Sequence, residues 1–222
     1  MQILDLIAWI GAIISLWGTG RYMLEIGRGT TKPRLASWIA WATANGVLMA
    51  VALLHGNVLA AAFNGLAALG NLSVLALSAT KRAGERPNGA TDWTCLSLTS
   101  LCLLGILVMP YSPYVAFLAM AANIAATWPT VQHAWHRPHE EAWQLFAANA
   151  GANMLGFVGV ATSGGMALAN IAGPLISMLG NAALVGITLG RGWLTRITRE
   201  VSQEIAGVEQ YMVQEGTVER AD

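Results

Sequence analysis

The sequence predicts an all-α membrane protein: seven transmembrane helices as two parallel three-helix repeats joined by a linker helix (3+1+3), plus a C-terminal amphipathic helix. Three observations carry this expectation. The 222-residue chain is 55% hydrophobic and only 11% charged, where a soluble domain carries about a quarter charged residues. All twelve Lys and Arg fall in alternate connections between apolar segments. Finally, the stretch Thr31–Gly46, TKPRLASWIAWATANG, has an echo at His136–Gly151, HRPHEEAWQLFAANAG, 105 residues later.

The apolar segments are Ile3–Gly20, Leu35–Leu54, Asn57–Ala79, Trp93–Pro110, Pro113–Trp128, Glu141–Ser163 and Met166–Leu189. Most approach the ~20 residues that cross a hydrocarbon core. The first has no basic region before it and no small-residue cleavage site after it, so it reads as a retained span rather than a signal peptide. Arg21, Arg28, Lys32 and Arg34 follow span one, Lys81, Arg82 and Arg86 follow span three, Arg137 follows span five, and Arg191, Arg196, Arg199 and Arg220 follow span seven. The opposite connections, Met1–Gln2, His55–Gly56, Tyr111–Ser112 and Gly164–Gly165, carry no Lys or Arg. The positive-inside rule then puts the N-terminus outside and the C-terminus in the cytoplasm of a plasma (inner) membrane. Beyond Arg191, the residues Leu194, Ile197, Val201, Ile205, Val208 and Met212 recur at helical spacing among polar ones, an amphipathic helix suited to packing or to pairing in a homo-oligomer. The expected units are residues 1–80, a linker with span four at 81–112, a second unit at 113–190, and a tail at 191–222.

The internal echo matches Pro33 with Pro138, Trp38 with Trp143, Trp41 with Phe146 and Gly46 with Gly151. ALGNLS, with Asn71, returns as MLGNAA, with Asn181, at an offset of 110. One odd span between two triplets gives both triplets the same orientation, and carriers place their site between such halves.

A three-plus-one-plus-three arrangement with these repeated motifs resembles the SWEET sugar transporters of the PQ-loop superfamily, whose half-size SemiSWEET relatives carry a single unit. The resemblance covers the chain up to about Arg191 and rests on architecture more than on long motifs. The family's Pro-Gln pair is only partly present: span five ends TWPTVQ, with Pro129 and Gln132, and span one ends LWGTGRY, with Gly18 and Gly20 instead. The resemblance implies alternating-access uniport of a small neutral solute, sugar first, through a pocket lined by Asn71 and Asn181 with Trp41 and Phe146 across from them. It makes Pro129 a gating hinge, and the repeated stretch itself reads as a gate segment in each half, with Pro33 and Pro138 breaking the approach to the second helix and Trp38 and Trp143 anchoring or gating it. Vitamin carriers of the PnuC type (nicotinamide riboside or thiamine) share the architecture and are the second reading. A non-transporting receptor or scaffold is the third.

The residues themselves bear on these readings. An Asn amide offers two donors and an acceptor oxygen and is costly against lipid. Asn45 and Asn149 join Asn71 and Asn181 as candidates, although helix-to-helix glue is an equal reading for the first two. Asn64, Asn123, Asn153 and Asn170 are further amides, while Thr43 and Ser37 read as packing residues. No Asp, Glu, Lys or Arg stands at mid-span, which favours facilitated diffusion over ion coupling. His133, His136 and His139 do not read as a metal site, because Pro138 breaks the helix between them. Cys95 and Cys102 share one helix face and read as buried thiols. Trp93, Trp128, Trp135 and Trp193 fall at expected interfaces, whereas Trp9 reads as packed. No nucleophile–base pair, cofactor motif or basic patch for nucleic acid is present, so the expected partners are a solute, the bilayer and other copies of the chain.

Overall fold

The computed structural model describes residues 3–112, 114–163 and 168–218. They form seven α-helices: α1 (Ile3–Arg28), α2 (Leu35–Leu54), α3 (Val58–Lys81), α4 (Ala90–Val108), α5 (Val115–His136), α6 (Trp143–Ser163) and α7 (Leu168–Val218). A single 3-10 turn, Pro138–Glu140, precedes α6, and no strand occurs among the described residues. The Gly164–Gly165 connection and the side chains of Asn170, Val208 and Met212 lie outside the described residues.

The helix bounds follow from local chemistry. Asn57 caps α3 by accepting the Ala60 N–H at 3.0 Å, the role for which Asn is favoured. The α3 helix ends at Arg82, whose left-handed φ of 52° lets its N–H and that of Ala83 reach Ala79 and Ser78. Asp92 sits in the first turn of α4, where the helix dipole favours a carboxylate. Helices α1 and α5 run past their apolar segments by about two turns. The tail is no separate element: α7 continues through Arg191 without a break.

Among the described residues four helical segments are long and apolar enough to cross a membrane: Leu35–Leu54, Ala60–Lys81, Ala90–Val108 and Pro174–Ala206. The bundle's outer surface agrees, with Ile13, Leu69, Leu101, Leu104, Phe117 and Ile124 exposed. Trp93, Trp128, Trp135 and Trp193 are exposed as well, and Trp9, expected to pack inside, faces outward too, 42% exposed.

Helix packing repeats. Helix α3 packs against both α1 and α2, and α7 against both α5 and α6. Between the units, α1 lies on α6 and α2 on α5, while α4 bridges α2 and α5. Exchanging α1, α2 and α3 with α5, α6 and α7 maps the pairs among these six helices onto each other, whereas the contacts of α4 have no counterpart. The register of the match differs from the 105 residues of the sequence echo. Asn45 and Asn153, 108 apart, each donate to the carbonyl four residues back, at 2.8 Å. Thr19 and Thr127, also 108 apart, lie beside Gly70 and Gly180. Val74 and Leu184, 110 apart, are fully buried, as are Ser78 and Thr188 one turn on. Lys32 and Glu140, again 108 apart, pair with each other through both backbone and side chain. A residue that meets its own counterpart marks the axis relating the units.

Close approach between the units rests on small residues. A side chain at Gly18 would meet Ala148, whose Cβ lies 2.5 Å from where the new atom would sit. Gly11 faces the Ala152 carbonyl in the same seam. Gly18 is therefore a packing residue inside a continuous α1 rather than a bend.

Candidate functional site

A cavity of about 120 Å³ lies between the units, lined by α1, α2 and α3 and by α5, α6 and α7. Among the described residues α4 lines none of it. All six residues expected to bind solute face this one space: Asn71, Asn181, Trp41, Phe146, Asn45 and Asn149. Asn123 and Asn153 join them, so six amides surround a cavity without a charged group among its lining residues.

The amides are held in place. Asn45, Asn153 and Asn181 each spend one N–H on a carbonyl of their own helix at 2.8 Å. An amide has a second N–H and an acceptor oxygen, so hydrogen-bonding capacity remains on the cavity side. Hydroxyls fix others: Ser15 donates to Asn149 Oδ1 at 2.7 Å, and Asn123 Nδ2 donates to Ser177 Oγ at 3.3 Å. Trp41 donates its indole N–H to Thr127 Oγ1 at 3.3 Å, which fixes its ring as a wall. The arrangement can bind a small neutral polar molecule with an apolar face. Its lining combines amides, hydroxyls and apolar groups without an ionisable side chain.

Ser15, Thr19, Thr127 and Ser177 escaped sequence reasoning. Their signal was a polar pair four apart at the same place in each first helix, Ser15 with Thr19 and Asn123 with Thr127, 108 residues apart. Thr43, by contrast, bonds to the Ile39 carbonyl on an exposed face. Ser37 is fully buried and accepts the Thr130 N–H at 3.1 Å, directly after Pro129 in α5. Asn64 bonds to the Ala60 carbonyl of its own helix.

The cavity is closed towards the basic end. Trp38 and Phe146 form its floor and enclose Tyr22, with ring centroids 5.0 and 6.5 Å from that of Tyr22. Trp38 is 2% exposed, whereas Trp143, its partner in the sequence echo, is 41% exposed at the start of α6. Pro33 is buried and its carbonyl accepts the Glu85 N–H. Pro138 is also buried but opens the 3-10 turn. Pro129 lies inside α5.

Below the aromatic floor the chain ties three connections together. Arg34 pairs with Glu85 and, through two nitrogens, with Asp92 at 2.6 and 3.3 Å. Arg137 reaches Glu85 at 2.7 Å, and Lys32 reaches Glu140 at 2.6 Å. The Leu35 N–H donates to the Glu85 carbonyl, so the α3–α4 connection is stitched onto the start of α2. Burial alone would raise the Glu140 pKa, but the hydrogen bond and charge of Lys32, with Arg137 and His133, outweigh it and leave it lowered. Burial pushes His133 down, against the pull of Glu85 and Glu140. Burial pushes Glu141 up to about 8, with Tyr22 opposing and the charges of Glu140 and Glu85 adding. His133 does not join His136 and His139, which are exposed; it turns into this cluster.

At the other end the His55 and Tyr111 rings meet at a tilt of 55° with centroids 4.8 Å apart. No protein-family model, no curated protein and no solved structure matches this chain.

Proposed function

We propose that this protein is a seven-span carrier of the SWEET-like kind that moves a small neutral solute, sugar first, by facilitated diffusion. The observation that carries the reading is the cavity: six amides and two ring walls contributed by both units, around the axis where transporters of repeated architecture hold their substrates. Sugar hydroxyls match Asn amides, and a ring face matches the apolar face of a pyranose. The basic residues gather at one end, and by the positive-inside rule that end is cytoplasmic, with the N-terminus outside. The aromatic floor and the ion pairs lie at that end, so release into the cytoplasm requires both to part. A cavity of about 120 Å³ is small beside the ~300–1,000 Å³ of drug-sized sites, so loading a hexose requires the walls to part.

Purified protein in proteoliposomes, offered glucose, sucrose, nicotinamide riboside, thiamine and neutral amino acids, tests the proposal. Saturable uptake of a sugar, lost in Asn71→Ala/Asn181→Ala that still folds, is the expected result. Saturable uptake of a vitamin alone transfers the reading to the PnuC-like alternative. Absence of any uptake, with or without ion gradients, replaces the carrier with a receptor or scaffold.

A further inference from the structure

Glu141 is the one charged residue of the basic-end cluster that no Lys or Arg reaches among the described residues. Its side chain is fully buried. Tyr22 donates to its Oε2 at 2.9 Å, while Oε1 has no hydrogen-bond partner. His133 Nε2, also buried and without a hydrogen-bond partner, lies 4.0 Å from that oxygen. His133 Nε2 thus stands between two orphaned carboxylate oxygens, Glu140 Oε2 at 3.5 Å and Glu141 Oε1 at 4.0 Å; Glu140 is held charged by Lys32 and Arg137, whereas Glu141 has no cation beside it. A buried carboxylate left unpaired is strongly disfavoured. One proton held between Oε1 and Nε2, after an approach of about an ångström to hydrogen-bond distance, satisfies both atoms and removes the charge.

The surroundings define what else acts there. Glu140 from the 3-10 turn lies 3.5 Å from His133 Nε2, and Glu85 from the α3–α4 connection lies 3.5 Å from Nδ1. Lys32, Arg34 and Arg137 pair with those two carboxylates, and Asp92 of α4 is held by Arg34. From α7, Thr188 turns back to its own helix and Arg191 lies over the Trp135 ring. Glu85, His133 and Glu140 approach closely enough to share one metal ion, but Lys32, Arg34 and Arg137 already pair with the two carboxylates, leaving only Glu140 Oε2 without a hydrogen bond. A proton fits where a dication would meet three positive neighbours.

We propose that Glu141 and His133 form a proton-binding site that latches the basic end of the bundle, with Tyr22 transmitting its state to the cavity floor. The path is short: the Tyr22 hydroxyl holds Glu141, and the Tyr22 ring packs on Trp38 and Phe146, which line the cavity. With the proton bound, the cluster is neutralised and closed. With it lost, the buried carboxylate is relieved by water or by turning towards Lys32 or Arg137, either of which loosens the floor. The effect on solute passage rests on the carrier reading; the proton site does not.

Infrared difference spectroscopy of the full chain in lipid nanodiscs reads the proton without any solute. A carboxylic-acid C=O band that disappears as pH rises through about 8 is expected, absent in Glu141→Gln. Tyr22→Phe keeps the band and moves its midpoint upward, because the carboxylate loses its donor. The second readout is reagent labelling of Thr19→Cys from the basic side, in a chain carrying Cys95→Ser and Cys102→Ser. Labelling rises several-fold as pH passes about 8 in the parent and stays low at all pH in the Glu141→Gln background. A band that titrates in the ordinary glutamate range, one that survives Glu141→Gln, or labelling that follows pH despite that substitution overturns the proposal. Failure of solute uptake with the band intact removes the carrier and leaves the proton site.

Discussion

The two three-helix units share one scaffold and differ in where their chemistry is placed. Asn45 with Asn153, Thr19 with Thr127 and Asn71 with Asn181 are the same residue in both units, and all six line the cavity. At the basic end the counterparts differ. The first unit has Tyr22, Arg34 and Ser37 where the second, 108 residues on, has Thr130, Ala142 and Leu145. Lys32 meets its opposite in charge, Glu140. Pseudo-symmetry is thus kept where a solute would be shared between the walls. It is broken where the two units must hold each other shut. Trp41 against Asn149, Ser15 against Asn123 and Ala67 against Ser177 are exceptions inside the cavity, and the first sets an indole opposite an amide.

The largest expected effect comes from the asymmetric end. Arg34→Ala strips the partner from Asp92, whose side chain is 2% exposed, and the loss of a buried ion-pair partner costs about 3–5 kcal/mol. Thermal unfolding in detergent should show it as a large drop in midpoint, with Ala142→Arg in the second unit giving no rescue. Gly18→Val attacks the seam itself: overpacking costs about 1–3 kcal/mol, and the Ala148 contact leaves little room. An unchanged midpoint in this variant would mean that the units do not pack as described.

Stability should also depend on pH with a definite sign. The folded chain holds a proton on Glu141 up to about pH 8, whereas an unfolded glutamate loses it near ~4.3. Between those values the folded state binds more protons, so stability falls as pH rises through the window and levels off above it. Glu141→Gln should flatten that slope. Next, Trp41→Asn gives the first unit the second unit's residue and makes the walls alike at that place. The solute KM is then expected to rise about tenfold, equivalent to ~1.4 kcal/mol, with folding little changed. The smallest effect belongs to the extension of α7, whose described residues from Trp193 onward are mostly exposed. A stop after Gly192 should shift the unfolding free energy by no more than about 0.5 kcal/mol. If pairing through Leu194, Val201 and Ile205 holds copies together, it should also lower the oligomeric mass.

Much of this was legible in the sequence because apolar length, charge placement and Asn in charge-free runs are local signals. Helices α2 and α6 begin and end within two residues of their expected segments. The six candidate cavity residues meet in space because helical spacing and the echo each restrict which face they occupy. The register of the echo was not legible. Pro33 stands two residues before α2, whereas Pro138 opens a 3-10 turn five residues before α6, so matching proline to proline slid the second helix by three positions. That is why Trp38 finds its counterpart in Phe146 and not in Trp143. Nor could sequence reveal the basic-end cluster: Tyr22, Glu85, His133 and Glu141 come from four separated segments, and only tertiary packing decides which polar atoms are buried together.

In the proposed carrier the cavity opens alternately to either side as the units rock. Spin-label distances across the units test it most directly, with labels on Arg28→Cys and His136→Cys at the basic end and on Leu54→Cys and Tyr114→Cys at the other, in a Cys95→Ser/Cys102→Ser chain. Two populations are expected at each end, with addition of the transported solute lengthening one distance as the other shortens. A single fixed distance at both ends, unmoved by any solute in the panel, would contradict it.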